Sequence, residues 1–387
     1  MRNVLRSTLI AALLAAAPLA ADETPAMRAF HAGVSALQEA MVKPTLSQQQ
    51  KGWQDAEAQF RKAVELKTDY ADAYNKLGQS LFNQGRIFEA VTEFRRAVAI
   101  NPRLTEAWYH LGFGFENITS EKQVADDEKA RKRLARTAVD DAIKAYRKAI
   151  QVEPSNDLNA LAKSHFRLGV LLRDQAVAVG KKGEANFKEA MLHLEKANVL
   201  LTDFPEARNE LGRLYDIIGR YPEAIDQYDK AILGHKRYAE AYSNRGVAWW
   251  KLGNWENALA DTRLATEIEP RFAGGRYNFA EVIFARVKEL RLRGLESDRS
   301  LIHLEAQKAV DEYRIATELD PAFMDAWYGL AKAYHGYHDY ENAAKTYEKI
   351  IELDKRQRQA KALLKALKKE RAAYESHIPK QYRSAPK

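Results

Sequence analysis

The sequence predicts an all-α fold of stacked helical hairpins, and three observations carry that prediction. Stretches rich in Ala, Leu, Glu, Lys and Arg run the length of a 387-residue chain with only 11 prolines. A pattern of small and aromatic residues recurs with a fixed period: Gly78 to Gly112, Gly212 to Gly246, Ala224 to Ala258 and Ala309 to Ala343 are each 34 residues apart. Several prolines close copies of that pattern, as Pro102, Pro154, Pro270 and Pro321 do. At 46% hydrophobic and 29% charged, the chain is long enough for one large or two ordinary domains.

Each copy reads as two helices, A and B. The clearest runs from Ala71 through Tyr74, Leu77-Gly78 and Leu81 to Ala90, Phe94, Ala97 and Pro102. The next gives Trp108, Leu111-Gly112, Phe115, Ala142, Tyr146, Ala149 and Pro154. Leu211-Gly212, Tyr215, Ala224, Tyr228 and Ala231 follow, then Tyr242, Gly246, Trp249, Ala258, Ala265 and Pro270, and finally Trp327, Leu330, Tyr334, Ala343 and Tyr347. Weaker copies centre on Gly33 with Ala56, Phe60 and Ala63, on Leu168-Gly169 with Ala190, Leu194 and Ala197, and on Phe279-Ala280 with Ala309, Tyr313 and Ala316. Glycine on helix A and alanine on helix B let the two backbones approach, aromatics are expected to fill the holes between hairpins, and proline ends helix B.

This pattern resembles the tetratricopeptide-repeat family, over roughly Ala26 to Asp354. The resemblance implies a right-handed α-α superhelix of about eight hairpins, near 26–70, 71–104, 105–156, 162–204, 205–238, 239–272, 273–323 and 324–357. Against the 34-residue norm, the first, third, fourth and seventh repeats carry extra residues between helix A and helix B. These stretches, Glu121 to Asp141 and Glu289 to Gln307 among them, are charged and poor in turn residues. They are expected to lengthen both helices of each hairpin and to project along one edge.

In this family helix A lines the concave surface and recognises extended peptides. Transferring that geometry gives the candidate groove: Asn75, Gln79 and Phe82; Tyr109 and Phe113; Asn209 and Arg213; Asn244 and Trp250; Tyr277, Asn278 and Glu281; Tyr328 and Lys332. Amides satisfy the backbone of an extended chain, and aromatics supply contact area at low entropic cost. The carboxylate clamp of some relatives does not fit. Tyr242-Ser243-Asn244-Arg245 has its look, but Glu281 stands where a cation is required. An asparagine ladder is incomplete, with Asn244 and Asn278 in phase but Lys76, His110, Arg167 and Glu210 in the equivalent places.

The two termini read differently from the body. Arg2 and Arg6 precede an apolar run from Leu9 to Leu19 and small residues at Ala20 and Ala21. That order is expected for a cleaved signal peptide over 1–21, hence a periplasmic or secreted protein. Residues 355–387 hold 11 Lys/Arg against Glu370 and Glu375, so of the chain's +8 the body between the termini carries about −3. Within 355–376, Ala360, Leu363, Leu364 and Leu367 make one apolar face of a basic capping helix, a surface for acidic partners or anionic lipid. Residues 377–387 are expected to be disordered.

Chemistry is not expected. Without cysteine there is no disulfide, thiolate metal site or thiol nucleophile. No Gly-x-Ser-x-Gly, His-Glu-x-x-His or phosphate-cradling loop occurs. His335 and His338 lack a third metal ligand nearby, and Asp126-Asp127 and Asp140-Asp141 read as solvated faces. The expectation is a non-enzymatic scaffold or adaptor in a bacterial envelope, with no cofactor and no nucleic-acid partner. The alternatives are a chaperone-like assembly factor for exported proteins and an accessory subunit of an envelope polysaccharide or cell-wall enzyme system.

Overall fold

One collision, avoided by glycine, shapes most hairpins. A Cβ placed on Gly78 would lie 2.5 Å from the Phe94 ring, and one on Gly112 2.7 Å from Tyr146. Gly33 stands in the same relation to Phe60, Gly169 to Leu194, Gly212 to Tyr228 and Gly246 to Thr262. The bulky residue four places after the helix-B alanine therefore lies flat on its own hairpin's helix-A glycine. It fills the hairpin itself and also the gap to the next one, where Phe94 stacks on His110 at 5.4 Å and Tyr313 lies against Gly329. Tyr146, Tyr228, Tyr313, Tyr347, Phe60 and Phe94, all from that position, are among the largest fully buried side chains.

The computed structural model describes residues 23–118, 128–152, 155, 157–293, 299–354 and 357–377. Among them are 17 α-helices and no strand. The expected signal peptide lies outside the described residues, as do Asp126-Asp127 and the tail beyond His377. The chain divides into two compact units, Met1–Thr202 and Asp203–Lys387. The first holds α1 (Pro25–Val42), α2 (Leu46–Leu66), α3 (Ala71–Asn83), α4 (Ile87–Ile100), α5 (Thr105–Asn117), α6 (Glu128–Gln151), α7 (Leu158–Val179) and α8 (Glu184–Leu200). The second holds α9 (Pro205–Ile217), α10 (Tyr221–Gly234), α11 (Ala239–Lys251), α12 (Trp255–Ile268), α13 (Ala273–Leu292), α14 (Arg299–Leu319), α15 (Met324–Gly336), α16 (Tyr340–Leu353) and α17 (Arg358–His377). Odd-numbered helices up to α15 are A helices and pack on the B helix that follows.

Standard hairpins pair helices of 13 and 14 residues, and their A-to-B turns share one conformation. Gly85, Gly219 and Gly253 have φ near +79°, and His338, at the same place in the last hairpin, has φ +59°. After each, an N–H bonds back five residues: Arg86 to Leu81, Arg220 to Tyr215, Asn254 to Trp249 and Asp339 to Tyr334. That closes the helix with a left-handed residue, which glycine adopts freely and histidine does not. A second recurring bond sets the start of helix A. Trp108 Nε1 donates to the Pro102 carbonyl at 2.9 Å, Trp327 Nε1 to Pro321 at 3.0 Å, and Arg276 Nε to Pro270 at 3.3 Å.

The lengthened hairpins do not all lengthen both helices. In the first and seventh both grow, to 18 and 21 residues and to 20 and 21. In the third, α5 keeps 13 residues while α6 reaches 24. In the fourth, α7 takes 22 residues and a 3-10 turn at Gly180–Gly183 leads into α8 with 17. The final turn of α5 is closed where Asn117 Nδ2 donates back to the Phe113 carbonyl (2.8 Å).

Candidate peptide-binding faces

In the first unit the A helices α3, α5 and α7 lie side by side and present a shared face. Asn75 is fully buried between them, so it is a linker rather than an exposed contact. Its Nδ2 donates to Glu106 Oε2 (2.9 Å), and its Oδ1 lies 2.9 Å from His110 Nδ1. The same Nδ1 lies 3.2 Å from Gln79 Nε2. Lys76 Nζ (2.8 Å) and Gln79 Nε2 (3.3 Å) converge on Glu106 Oε1. Burial pushes the Glu106 carboxyl up, but Lys76, His110 and the hydrogen bonds outweigh it and hold it below its usual range. His110 is driven down to about 4 by burial, with Lys76 and Lys163 adding to the shift against Glu106. The cluster therefore holds a neutral imidazole and an ionised carboxylate near neutral pH.

Beside it runs an aromatic row. Phe82 and Phe113 have ring centroids 5.1 Å apart, Tyr109 stacks on Phe113 at 6.2 Å, and the Arg167 guanidinium lies 5.6 Å over Phe113. Arg167 is held in place by Glu116, which also accepts the Tyr146 hydroxyl. Burial pushes that hydroxyl far above its usual value, so Tyr146 stays a donor. Phe82, Tyr109, Phe113 and Gln79 are all half-buried. Their apolar surface is partly open to a ligand and partly fixed by neighbours.

In the second unit α9, α11, α13 and α15 make a more polar face. Asn209, like Asn75, is fully buried: its Oδ1 accepts from Asn244 Nδ2 (3.0 Å), and Asn278 Nδ2 donates to Ser243 Oγ (2.9 Å). Arg213 pairs with Glu210 (2.9 Å) and lies 3.9 Å from Glu240. Trp250 carries Lys251 Nζ 4.0 Å over its ring. Burial raises the nearby Asp216 carboxyl, with Lys251 and Arg213 opposing. Glu281 accepts the Tyr313 hydroxyl (2.6 Å) and sits beside Tyr277, whose own hydroxyl burial pushes up. Tyr328 O–H donates to Gln357 Oε1 (3.2 Å) at the approach to α17, whereas Lys332 is exposed.

Asn75 and Asn209 therefore act first as ties between hairpins, Glu281 as a tie between the two helices of its own hairpin, and Tyr328 as a tie to the terminal helix. The sequence reading missed the partners Glu106, His110, Glu116, Arg167 and Ser243. A signal for some of them exists: Asn75–His110, Asn209–Asn244 and Ser243–Asn278 are each 35 residues apart, one more than the repeat. Away from these faces, a cavity of about 190 Å³ is lined by Phe88, Val91, Arg95, Phe115, Ile118 and Asp141, among others. It is smaller than ordinary small-molecule pockets. His335 and His338 face Glu370 (2.9 Å) and the Tyr340 hydroxyl (3.0 Å).

A family model of the tetratricopeptide repeat matches residues 209–270 and 305–358. The chain carries tetratricopeptide repeats over these residues. Its first unit also matches a model of the FAT domain, over residues 27–164. Hsp70-Hsp90 organizing protein 1 of Glycine max is 28% identical over 144 residues, 37% of this chain and 21% of that protein. DnaJ homolog subfamily C member 3 of Mus musculus is 24% identical over 249 residues, 62% of this chain and 45% of that protein. The chain thus spans less than half the length of these curated relatives. Among solved structures, the APC/C hetero-tetramer Cut9-Hcn1 matches 79% of this chain and 54% of its own at 16% identity and TM-score 0.51, a likeness of fold.

Proposed function

We propose that this tetratricopeptide-repeat protein is a non-enzymatic scaffold of a bacterial cell envelope, exported by a cleaved signal over 1–21, that holds segments of other proteins against its helix-A faces. The observation that carries the reading is the half-buried row of Phe82, Tyr109 and Phe113 beside Arg167 and the polar Lys76–Gln79–Glu106 cluster. Rigid aromatics next to positioned donors and acceptors suit an extended peptide, whose side chains take the apolar row and whose backbone takes the polar one. The names of relatives support the class: one is an organizing protein for Hsp70 and Hsp90. The export reading rests on the order of Arg2, Arg6, the apolar run and Ala20-Ala21.

The test is affinity purification of the tagged protein from its own cells, with captured partners identified by mass spectrometry. Wild type is expected to retain a defined set that a Phe82→Ala, Phe113→Ala, Trp250→Ala variant loses while keeping its helical circular-dichroism signal. Equal recovery by both forms would remove the groove reading. The mass of the mature N-terminus, measured on the same sample, tests the signal separately.

A further inference from the structure

The terminal helix α17 divides its residues sharply. Ala360 and Leu367 are buried against the last hairpin, in one cluster with Ala331, Tyr340, Tyr347 and Ile350, and Leu363 and Leu364 pack at its edge. Its Glu370 is turned to His335 and the Tyr340 hydroxyl. At about 100° per residue, Arg358, Lys361, Lys365, Lys368 and Lys369 fall within an arc of roughly 100° on the far side of the helix. All five are exposed. Lys368 pairs with Glu348 (3.2 Å), whereas Arg358, Lys365 and Lys369 enter no ion pair among the described residues. The body of the chain is near neutral, so this stripe is where its positive charge is concentrated.

We propose that this stripe holds the protein electrostatically on the surface of an anionic lipid bilayer. Three features favour lipid over other anionic partners. The arc contains no aromatic and nothing apolar larger than alanine, so it lacks the buried anchors that protein interfaces and single-stranded nucleic acids require. Four of the five cations are lysines, compact charges on flexible stems that suit mobile headgroups better than the fixed bidentate geometry arginine offers. The apolar face is already covered by the last hairpin, so contact is by charge alone without insertion. No helix among the described residues is long and apolar enough to cross a membrane. The peptide-binding reading is independent of this one, since the groove residues lie on other helices.

The test is co-sedimentation of the full chain with vesicles of phosphatidylcholine alone or with about one third phosphatidylglycerol, at low salt and at about 0.5 M NaCl. Binding is expected only to the anionic vesicles and only at low salt. At about fivefold for each cation, Arg358→Gln, Lys365→Gln, Lys369→Gln together weaken it by roughly a hundredfold. A Lys365→Arg, Lys369→Arg variant binds as wild type does. The exposed positions make misfolding an unexpected route to loss, and circular dichroism of each variant checks it. Equal pelleting with neutral vesicles, or undiminished binding by the triple glutamine variant, overturns the proposal. Tighter binding to a DNA duplex than to anionic vesicles overturns it too, and assigns the stripe to nucleic acid.

Discussion

His165 is buried and His110 and His193 are half-buried in the first unit, with their imidazoles held neutral. Burial drives His110 and His165 down to about 4 and lowers His193. His165 and His193 face each other with their Nδ1 atoms 2.8 Å apart, so protonating one places a charge against the other. A folded pKa below the unfolded value of about 6.5 means the unfolded chain binds more protons between those limits. The stabilisation is therefore complete above about pH 6.5 and is lost as pH falls towards 4. Between pH 7 and 5 each of the two stronger shifts is expected to remove on the order of 1–2 kcal/mol, read as a lower urea midpoint. A His165→Gln, His193→Gln variant should show a flatter pH dependence; an unchanged slope would contradict the assignment. Glycine substitutions separate two other residue-level causes. Gly78→Ala drives a Cβ into Phe94 and is expected to cost about 1–3 kcal/mol. Gly253→Ala meets nothing within 4 Å and is expected to cost about 1–2 kcal/mol through its φ of +79° alone. Thermal melts of both, with the structure of Gly78→Ala showing whether Phe94 moves, distinguish the mechanisms.

At the scale of elements, each hairpin repeats one local solution, and most of it is readable in the chain. Glycine on helix A, alanine and an aromatic on helix B, and a left-handed residue at the turn are each short-range requirements, so each leaves a mark at a fixed offset. The length of helices in the enlarged hairpins was not readable in that way. A charged composition extends both helices of the seventh hairpin yet leaves α5 at standard length. Helix propensity permits such a stretch to be helical without saying which helix it joins, and packing on neighbours decides. The terminal helix shows the complementary case, an apolar face legible in sequence because its period is 3.6. Leu367, buried against the last hairpin, makes that face measurable. Leu367→Ala is expected to cost about 2–4 kcal/mol in chemical denaturation, with α17 the first element to loosen.

At the scale of the molecule, stability within each unit is carried by contacts between sequence-adjacent hairpins, as expected where each repeat touches only its neighbours. Leu367→Ala should therefore raise hydrogen exchange in α15, α16 and α17 while leaving α1 to α8 at wild-type protection. Uniform loss across both units would show a longer-range coupling than the contacts provide. The same neighbour logic explains why the binding faces were only half legible. Helix-A positions could be nominated by register, but Asn75 and Asn209 proved to be buried ties to the next hairpin and Glu281 an acceptor for Tyr313 of its own. Whether a side chain on helix A is open depends on what the next hairpin places opposite it, about 35 residues away.

By itself, the sequence determined the all-α class, the hairpin lattice and the amphipathic terminal helix, because those follow from steric rules satisfied within one or two turns and repeated at a constant period. Only the tertiary structure decided which polar groups of helix A are consumed in ties and how the enlarged hairpins share their extra length. It also decided that the five cations of α17 face away from the core. Each of these depends on a surface supplied by another part of the chain, and no local periodicity encodes it.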